Sequence, residues 1–107
     1  MKPPIIISEN GDIYFYTTLE EAERDIEPPD VSNGIYVIYD SEGLVLTPTI
    51  VDDPIYDVIK IIASEESRPI ELMKILTDFF SEAGHDLLML DTMTLEELIN
   101  LGSTIFR

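Results

Sequence analysis

The chain has no cysteine and a single histidine, His85, among its 107 residues. The absence of cysteine excludes disulfide bonds, thiolate nucleophiles and thiolate zinc sites. One histidine cannot form a multi-histidine metal cluster, and its place beside Asp86, at the end of a predicted helix, suits a helix cap or a surface residue. We therefore expect no cofactor, no metal site and no catalytic residue.

Long hydrophobic runs are also missing, because polar residues interrupt every apolar stretch before it reaches the ~18 residues of a membrane-spanning helix. The N-terminal segment has one cation and two prolines before only three isoleucines, which is too little apolar length for a secretory signal. These features predict a cytoplasmic protein that does not bind membranes. The length favours one domain covering residues 1–107.

Basic residues are scarce: six of them stand against 22 acidic residues, which gives a net charge of −16. Such a charge often marks disorder, but 45% of the residues are apolar, and this is enough to bury a core. The resulting field attracts basic proteins and repels nucleic acid and anionic membranes. We expect a basic protein partner and no direct contact with nucleic acid.

The first third of the chain predicts a hairpin followed by a short helix. Two β-prone runs, Ile5–Ile7 and Ile13–Tyr16, flank Asn10-Gly11, a pair that favours the positive φ angles of a type I′ turn. Thr18 and Glu21 then fit a capping box, in which each side chain satisfies the other's backbone N–H. Two consecutive prolines at 28 and 29 are expected to end this helix.

A second hairpin is predicted from Gly34–Asp40 and Leu44–Thr47, which are rich in β-branched and aromatic residues. Pro48 and Pro54 cannot donate to a ladder, so this part of the chain should lie at a sheet edge or leave the sheet around Asp52-Asp53. Residues 56–62 fit either a strand or a helical turn after Pro54, and we favour a fifth strand.

The last third predicts two helices. Ser67-Arg68-Pro69 indicates a helix start, apolar residues follow at i, i+3 and i+4 spacing to Ala83, and Gly84 suits the left-handed C′ position. Residues 87–90 are expected to supply buried apolar area. Thr94 and Glu97 repeat the capping box ahead of a short helix that should end near Gly102.

The predicted fold class is therefore α+β. We expect an antiparallel sheet of about four or five strands in two hairpins, a short helix after the first hairpin, and a long amphipathic C-terminal helix packed on one face. The second face of the sheet should be partly open.

The acidic residues are unevenly distributed. Residues 1–66 carry 15 acids and three bases, a net −12, whereas residues 67–107 carry seven acids and three bases, a net −4. Each cluster taken alone fits a solvated surface, but a small domain is soluble at a net charge of about 2 to 8, so the excess predicts a binding face.

Aromatic residues among these acids suit a partner rich in lysine and arginine, and strand alternation places Tyr14 and Tyr16 on one face. Half-buried packing is the alternative for each tyrosine. The predicted partner-binding residues are Glu20, Glu23, Asp25, Glu27, Asp30, Asp52, Asp53, Tyr14 and Tyr16.

Motifs of common enzymes are missing from the sequence: it has no G-x-S-x-G, no glycine-rich phosphate loop and no H-E-x-x-H. With 22 carboxylates, some pair always lies close enough for acid–base work, so carboxylates alone do not indicate a glycosidase. The sequence predicts a protein that is not an enzyme.

Four short segments carry a family resemblance. They are residues 6–12 with Glu-Asn-Gly-Asp, Glu-Glu-Ala-Glu at 20–23, Glu-Pro-x-Asp-Val at 27–31 and Tyr-Asp-Ser-Glu-Gly at 39–43. In these segments the chain resembles small acidic bacterial immunity proteins of contact-dependent inhibition and polymorphic toxin systems. The resemblance implies that the protein neutralises a cognate secreted toxin, often a basic nuclease, by covering its active site or a neighbouring surface. It transfers no individual residue.

The acidic surface is also typical of a second class, a nucleic-acid mimic or regulatory adaptor that binds a basic host or phage factor. Mimicry predicts carboxylates spaced along an elongated surface, whereas an immunity protein should present a compact patch with an apolar centre.

Overall fold

The computed structural model describes residues 1–52 and 58–105 of the chain. Within these residues the strands are β1 (Ile5–Glu9), β2 (Asp12–Tyr16), β3 (Tyr36–Tyr39), β4 (Leu44–Val51) and β5 (Val58–Ser67), and the helices are α1 (Leu19–Asp25), α2 (Pro28–Ser32), α3 (Pro69–Glu82), α4 (Leu87–Leu90) and α5 (Leu95–Ile105). The strands form one antiparallel sheet in the order β2-β1-β3-β4-β5. The predicted α+β fold with two hairpins is confirmed, but the C-terminal helix is the short α5, and the long amphipathic helix is α3.

The first hairpin has the predicted turn. Asn10 and Gly11 both adopt positive φ angles, 49° and 95°, and Glu9 pairs directly with Asp12. After the hairpin, Thr18 caps α1 and its hydroxyl accepts the N–H of Glu21 at 3.2 Å. The Glu21 carboxylate bonds to the hydroxyl of Thr17, so one half of the predicted capping box is confirmed.

β4 and β5 extend beyond the predicted residues, whereas β3 is shorter than the predicted Gly34–Asp40. β4 is an interior strand of the sheet, but at Pro48 it pairs with β5 alone, and it ends at Val51, so the second predicted alternative, that the chain leaves the sheet around Asp52, is confirmed. The sheet tolerates this proline because β3 pairs with β4 only as far as Leu46, and the opposing Ile61 directs its N–H away from β4, to Glu23.

The fifth strand is confirmed for residues 58–62, and it continues to Ser67. Asp53, Pro54 and residues 55–57 lie outside the described residues, so the predictions for them are not addressed by the structure.

One face of the sheet carries α3, α4 and α5. α3 is the long amphipathic helix, with 14 residues, and Gly84 occupies the predicted left-handed C′ position after it, with a φ of 101°. The N–H groups of Gly84 and His85 bond to the carbonyls of Ser81 and Phe80, which is the Schellman arrangement. The buried side chains of this layer form the helical core with the sheet: Ile6, Ile13, Tyr39, Leu72, Leu76, Phe80, Leu90, Leu98 and Ile99.

Two expectations for the C-terminal segment are wrong. α5 runs through Gly102 to Ile105, because this glycine lets the helix approach the sheet: a Cβ at Gly102 would overlap the ring of Phe15. In α4 only Leu90 is buried, whereas the neighbouring Leu88 is 77% exposed. The predicted capping box at the start of α5 is complete, with Thr94 and Glu97 bonding to each other's backbone N–H.

The opposite face of the sheet is covered in part by α1 and α2. The prolines at 28 and 29 end α1 as predicted, but they also start α2, since a proline at the first helical positions lacks only an N–H that the helix does not use. Buried residues here are Ile5, Ile7, Ala22, Ile26, Ile38, Leu46, Ile59 and Ile61. The sheet therefore lies between two helical layers.

Among the described residues, no helix is both long and apolar enough to cross a bilayer.

Candidate functional site

Most of the predicted partner-binding acids lie in the layer formed by α1 and α2. Residues 20–30 carry six acids and one base, a net −5 in 11 residues, whereas residues 69–105 in the opposite layer carry seven acids and one base, a net −6 in 37 residues. The α1–α2 layer is thus about three times denser in negative charge. Asp52 lies apart from this group, directly after β4, and Asp53 falls outside the described residues.

Glu20 and Glu23 line a groove of about 530 Å³ between α1 and β5, which also contains Arg24 and Lys60. The two bases offset the two acids. The Glu23 carboxylate also has a hydrogen-bond partner within the protein: it accepts the N–H of Ile61 at 2.8 Å and so satisfies this donor at the outer edge of β5. This groove therefore has little net charge to offer a basic partner.

A second groove joins three tyrosines to acidic residues. It encloses about 270 Å³, and its lining residues, which define the tyrosine groove, are Ile7, Glu9, Tyr14, Tyr16, Asp25, Ile26 and Tyr36. None of these described residues is basic. Of the predicted contact residues, the structure thus brings together Tyr14, Tyr16 and Asp25.

The register of three strands explains this arrangement. Glu9 on β1 lies directly opposite Asp12 on β2 and Tyr36 on β3, and Ile7 lies opposite Tyr14. Directly opposed residues of antiparallel strands share a face, and alternate residues of one strand do so too. Acids and tyrosines therefore stand side by side at the hairpin end of this face, where the helical layer adds Asp25.

A neighbouring groove of about 470 Å³ follows β2 and shares Tyr14, Tyr16 and Asp25 with the tyrosine groove. It adds Asp12 and, from the other side of β2, Phe79 of α3. Tyr14 is 42% exposed and belongs to both grooves. It is therefore the most exposed of the three tyrosines that line these grooves.

The two inner tyrosines are held as neutral phenols. Burial raises the pKa of Tyr16 above its ordinary value, and the charge of Asp25 and the hydrogen bond with its carboxylate raise it further. Burial is also the main cause of the raised pKa of Tyr36, and Asp30, which accepts the Tyr36 hydroxyl at 3.2 Å, adds to it. The Tyr36 hydroxyl is thus already bonded within the protein.

Other acids of the sheet serve the fold. Asp40 is buried, and its carboxylate accepts three backbone N–H groups, at 2.8 Å from Glu42, 3.0 Å from Leu44 and 3.2 Å from Lys2. This carboxylate therefore stabilises the β3–β4 turn and fastens the N-terminal segment to it.

On the α3 side the hydroxyl of Tyr39 bonds to Glu71, which also pairs with Arg68 at 3.2 Å. Burial and this bond raise the pKa of Tyr39, and the same bond is the main cause of the lowered pKa of Glu71.

Within residues 1–52 and 58–105 no group of three or more potential ligands could hold a metal ion. The tyrosine groove combines aromatic rings, an apolar floor of Ile7 and Ile26, and carboxylates at the mouth. This combination can bind a cationic side chain by charge attraction and by cation–π contact.

Sequence reasoning missed Glu9 and Tyr36, which line the tyrosine groove, and Asp12, which lines the neighbouring groove. A signal for Glu9 and Asp12 was present, because a two-residue Asn-Gly turn requires these two residues to oppose each other. The place of Tyr36 depends on the pairing of β3 with β1, which no local pattern indicates.

The sequence matches no protein-family model, and no curated protein or solved structure matches it either.

Proposed function

We propose that the protein is an immunity protein that binds and neutralises a secreted bacterial toxin, a basic nuclease, in the cytoplasm of the cell that must be protected. The observation that carries the proposal is the tyrosine groove, in which three tyrosines and two carboxylates meet without a basic residue. The groove lies in the layer of highest negative charge density. It supplies what a basic partner needs: charge for steering, and aromatic anchors for affinity.

In this proposal the acids of α1 and α2 accelerate the encounter with the toxin, and the groove fixes its orientation. Glu20, Glu27 and Asp25 are exposed and act over a distance, so their effect should weaken with salt. Tyr14 is exposed on the free monomer and becomes buried on binding, which is the behaviour of an interface anchor. Occlusion of the toxin's cationic substrate surface then blocks its access to nucleic acid.

The elongated shape, 51 × 26 × 22 Å, supports a second candidate, a nucleic-acid mimic or regulatory adaptor that occupies the DNA site of a basic factor. A mimic would use acids along the whole length of the molecule. The higher density of acids in the layer on one face, with aromatic rings among some of them, favours the immunity protein.

The test is the affinity for the protein encoded immediately upstream, measured by calorimetry at low and at high salt. Tyr14→Ala and Asp25→Asn should each weaken binding about tenfold or more, which corresponds to ~1.4 kcal/mol. Leu88→Ala and Asp78→Asn are matched controls, since they change an exposed apolar residue and an exposed acid on the opposite layer.

Failure to form a complex at low salt would refute the immunity proposal. A complex in which the two controls weaken binding as much as the groove variants would favour the mimic, because a mimic distributes its contacts over both layers.

A further inference from the structure

An unbalanced pair of like charges lies beside the tyrosine groove: Glu9 lines this groove, and Asp12 lines the neighbouring groove along β2. Glu9 and Asp12 are directly opposed across the hairpin, an arrangement that costs stability when both are ionised. Among the described residues, the ion pairs are Lys2–Glu42, Arg68–Glu66 and Arg68–Glu71, so none of them neutralises Glu9, Asp12 or Asp25. A cation from outside the chain would relieve this repulsion.

From this arrangement we infer that the tyrosine groove is a receptor for one arginine side chain of a protein partner. The inference rests on the proposed function only in taking the partner to be a protein. The volume of about 270 Å³ lies below the ~300–1,000 Å³ of pockets for drug-sized ligands, and so suits a single side chain.

Arginine fits this groove better than lysine for two reasons. A guanidinium is planar and weakly hydrated, so it stacks on the rings of Tyr14 and Tyr36 at a small desolvation cost, whereas an ammonium is compact and strongly hydrated. Its fork of five N–H donors can also serve two carboxylates at once, and Glu9 and Asp25 line the same groove.

The internal hydrogen bonds of the groove prepare it for this ligand. The Tyr36 hydroxyl donates to Asp30 at 3.2 Å, which fixes this ring before binding, and the Tyr16 ring is half-buried. The floor formed by Ile7 and Ile26 is buried and apolar, and it accommodates the methylene groups of the ligand. Fixed rings reduce the entropy that binding would otherwise cost.

The test is a titration of the full chain with N-acetyl-arginine-methylamide, followed by amide chemical shifts. Two further probes are matched in shape or charge: the citrulline analogue is a neutral isostere, and the lysine analogue is a cation without the planar group. We expect saturable shifts at the groove for arginine, binding at least about fivefold weaker for lysine, and none for citrulline.

Variants separate binding from folding. Glu9→Gln should weaken the arginine probe about fivefold or more while leaving the unfolding midpoint unchanged or higher, since it removes a like-charge contact. A merely structural role for Glu9 would lower the midpoint instead. Tyr14→Ala should weaken the probe similarly, and Asp78→Asn should leave the probe affinity unchanged.

The inference is overturned if citrulline binds as well as arginine, or if all cations shift residues of α3 and α5 as much as the groove. The experiments also distinguish failure of this inference from failure of the proposed function. Arginine binding without a complex with the upstream protein would sustain the receptor and reject the immunity role. A tight complex with that protein, weakened by Tyr14→Ala and Asp25→Asn although the groove does not bind the arginine probe, would do the reverse.

Discussion

The two faces of the sheet are covered by helices of very different length. α3 has 14 residues and is about 21 Å long, which matches the ~19 Å width of a five-stranded sheet. α1 and α2 have seven and five residues, so each is only about 8 to 11 Å long. The second layer thus consists of two short helices, although α1 reaches both edge strands, with Glu23 at Ile61 of β5 and Asp25 near Tyr16 of β2.

Because of this difference, one face of the sheet contributes mainly to stability and the other contains the groove. The helical core contains the two largest fully buried side chains, Tyr39 and Phe80. The α1–α2 layer leaves the hairpin end of its face uncovered, and there Glu9, Tyr14 and Tyr36 remain accessible. Incomplete coverage is thus what creates the groove, and stability should depend more on the α3 side than on the groove residues.

The sharpest test of this division is Phe80→Ala. Phe80 is fully buried between α3 and the sheet, so its truncation should cost about 3–5 kcal/mol of unfolding free energy. Tyr14→Ala, which alters an exposed ring on the other face, should cost less than about 1 kcal/mol. Urea unfolding of both variants checks the contrast, and equal losses would contradict it.

The next largest loss of stability is expected for a substitution at Gly43, because this residue lies where the β3–β4 turn contacts the start of α3. Its φ is 89°, and a Cβ there would approach the Cα of Pro69 to 2.5 Å. Gly43→Ala should cost roughly 2–4 kcal/mol, from left-handed strain and overpacking together. Gly11→Ala is the control: it has a similar φ of 95° but open space, so only the strain of about 1–2 kcal/mol should appear in thermal unfolding.

Alkaline pH should lower the free energy of unfolding through one tyrosine on each face of the sheet, Tyr16 and Tyr39. The folded-state pKa values of Tyr16 and Tyr39 are raised above the ordinary ~10, so their contribution to stability is complete below about pH 10 and is lost as the pH rises above it. Denaturant unfolding across this range checks the direction. Tyr16→Phe and Tyr39→Phe should each flatten the decline, and a decline unchanged in both variants would contradict the assignment.

The smallest expected effect compares the two capping threonines. Thr94→Ala removes a complete capping box at the start of α5 and should cost about 1 kcal/mol. Thr18→Ala removes a single 3.2 Å bond at α1 and should cost less. Melting temperatures of the two variants rank them, and the reverse order would show that α1 depends on its cap more than α5 does.

The features that sequence reasoning predicted correctly are local. Asn10-Gly11, Gly84 and the pair Thr94 and Glu97 each act through bonds within a few residues, so neighbouring sequence determines their geometry. The predicted contact residues Tyr14, Tyr16 and Asp25 converge because strand alternation and the hairpin turn constrain two of them.

The features that were missed depend on distant parts of the chain. Pro48 fits an interior strand only because β3 stops pairing at Leu46, and Gly102 belongs to a helix only because Phe15 needs its space. Exposure of Leu88 depends on how α4 packs against α3. No local pattern encodes any of these three contacts.

The hydrogen bond from the Ile61 N–H to Glu23 has a consequence for self-association. An outer strand with free amides is a template on which another copy can add its own strand and begin a fibril. At Ile61 the backbone N–H already donates to the Glu23 carboxylate on α1, so a second copy could pair here only after α1 had been displaced. A negatively charged side chain of α1 thus also protects this edge of the sheet from pairing with other copies of the protein.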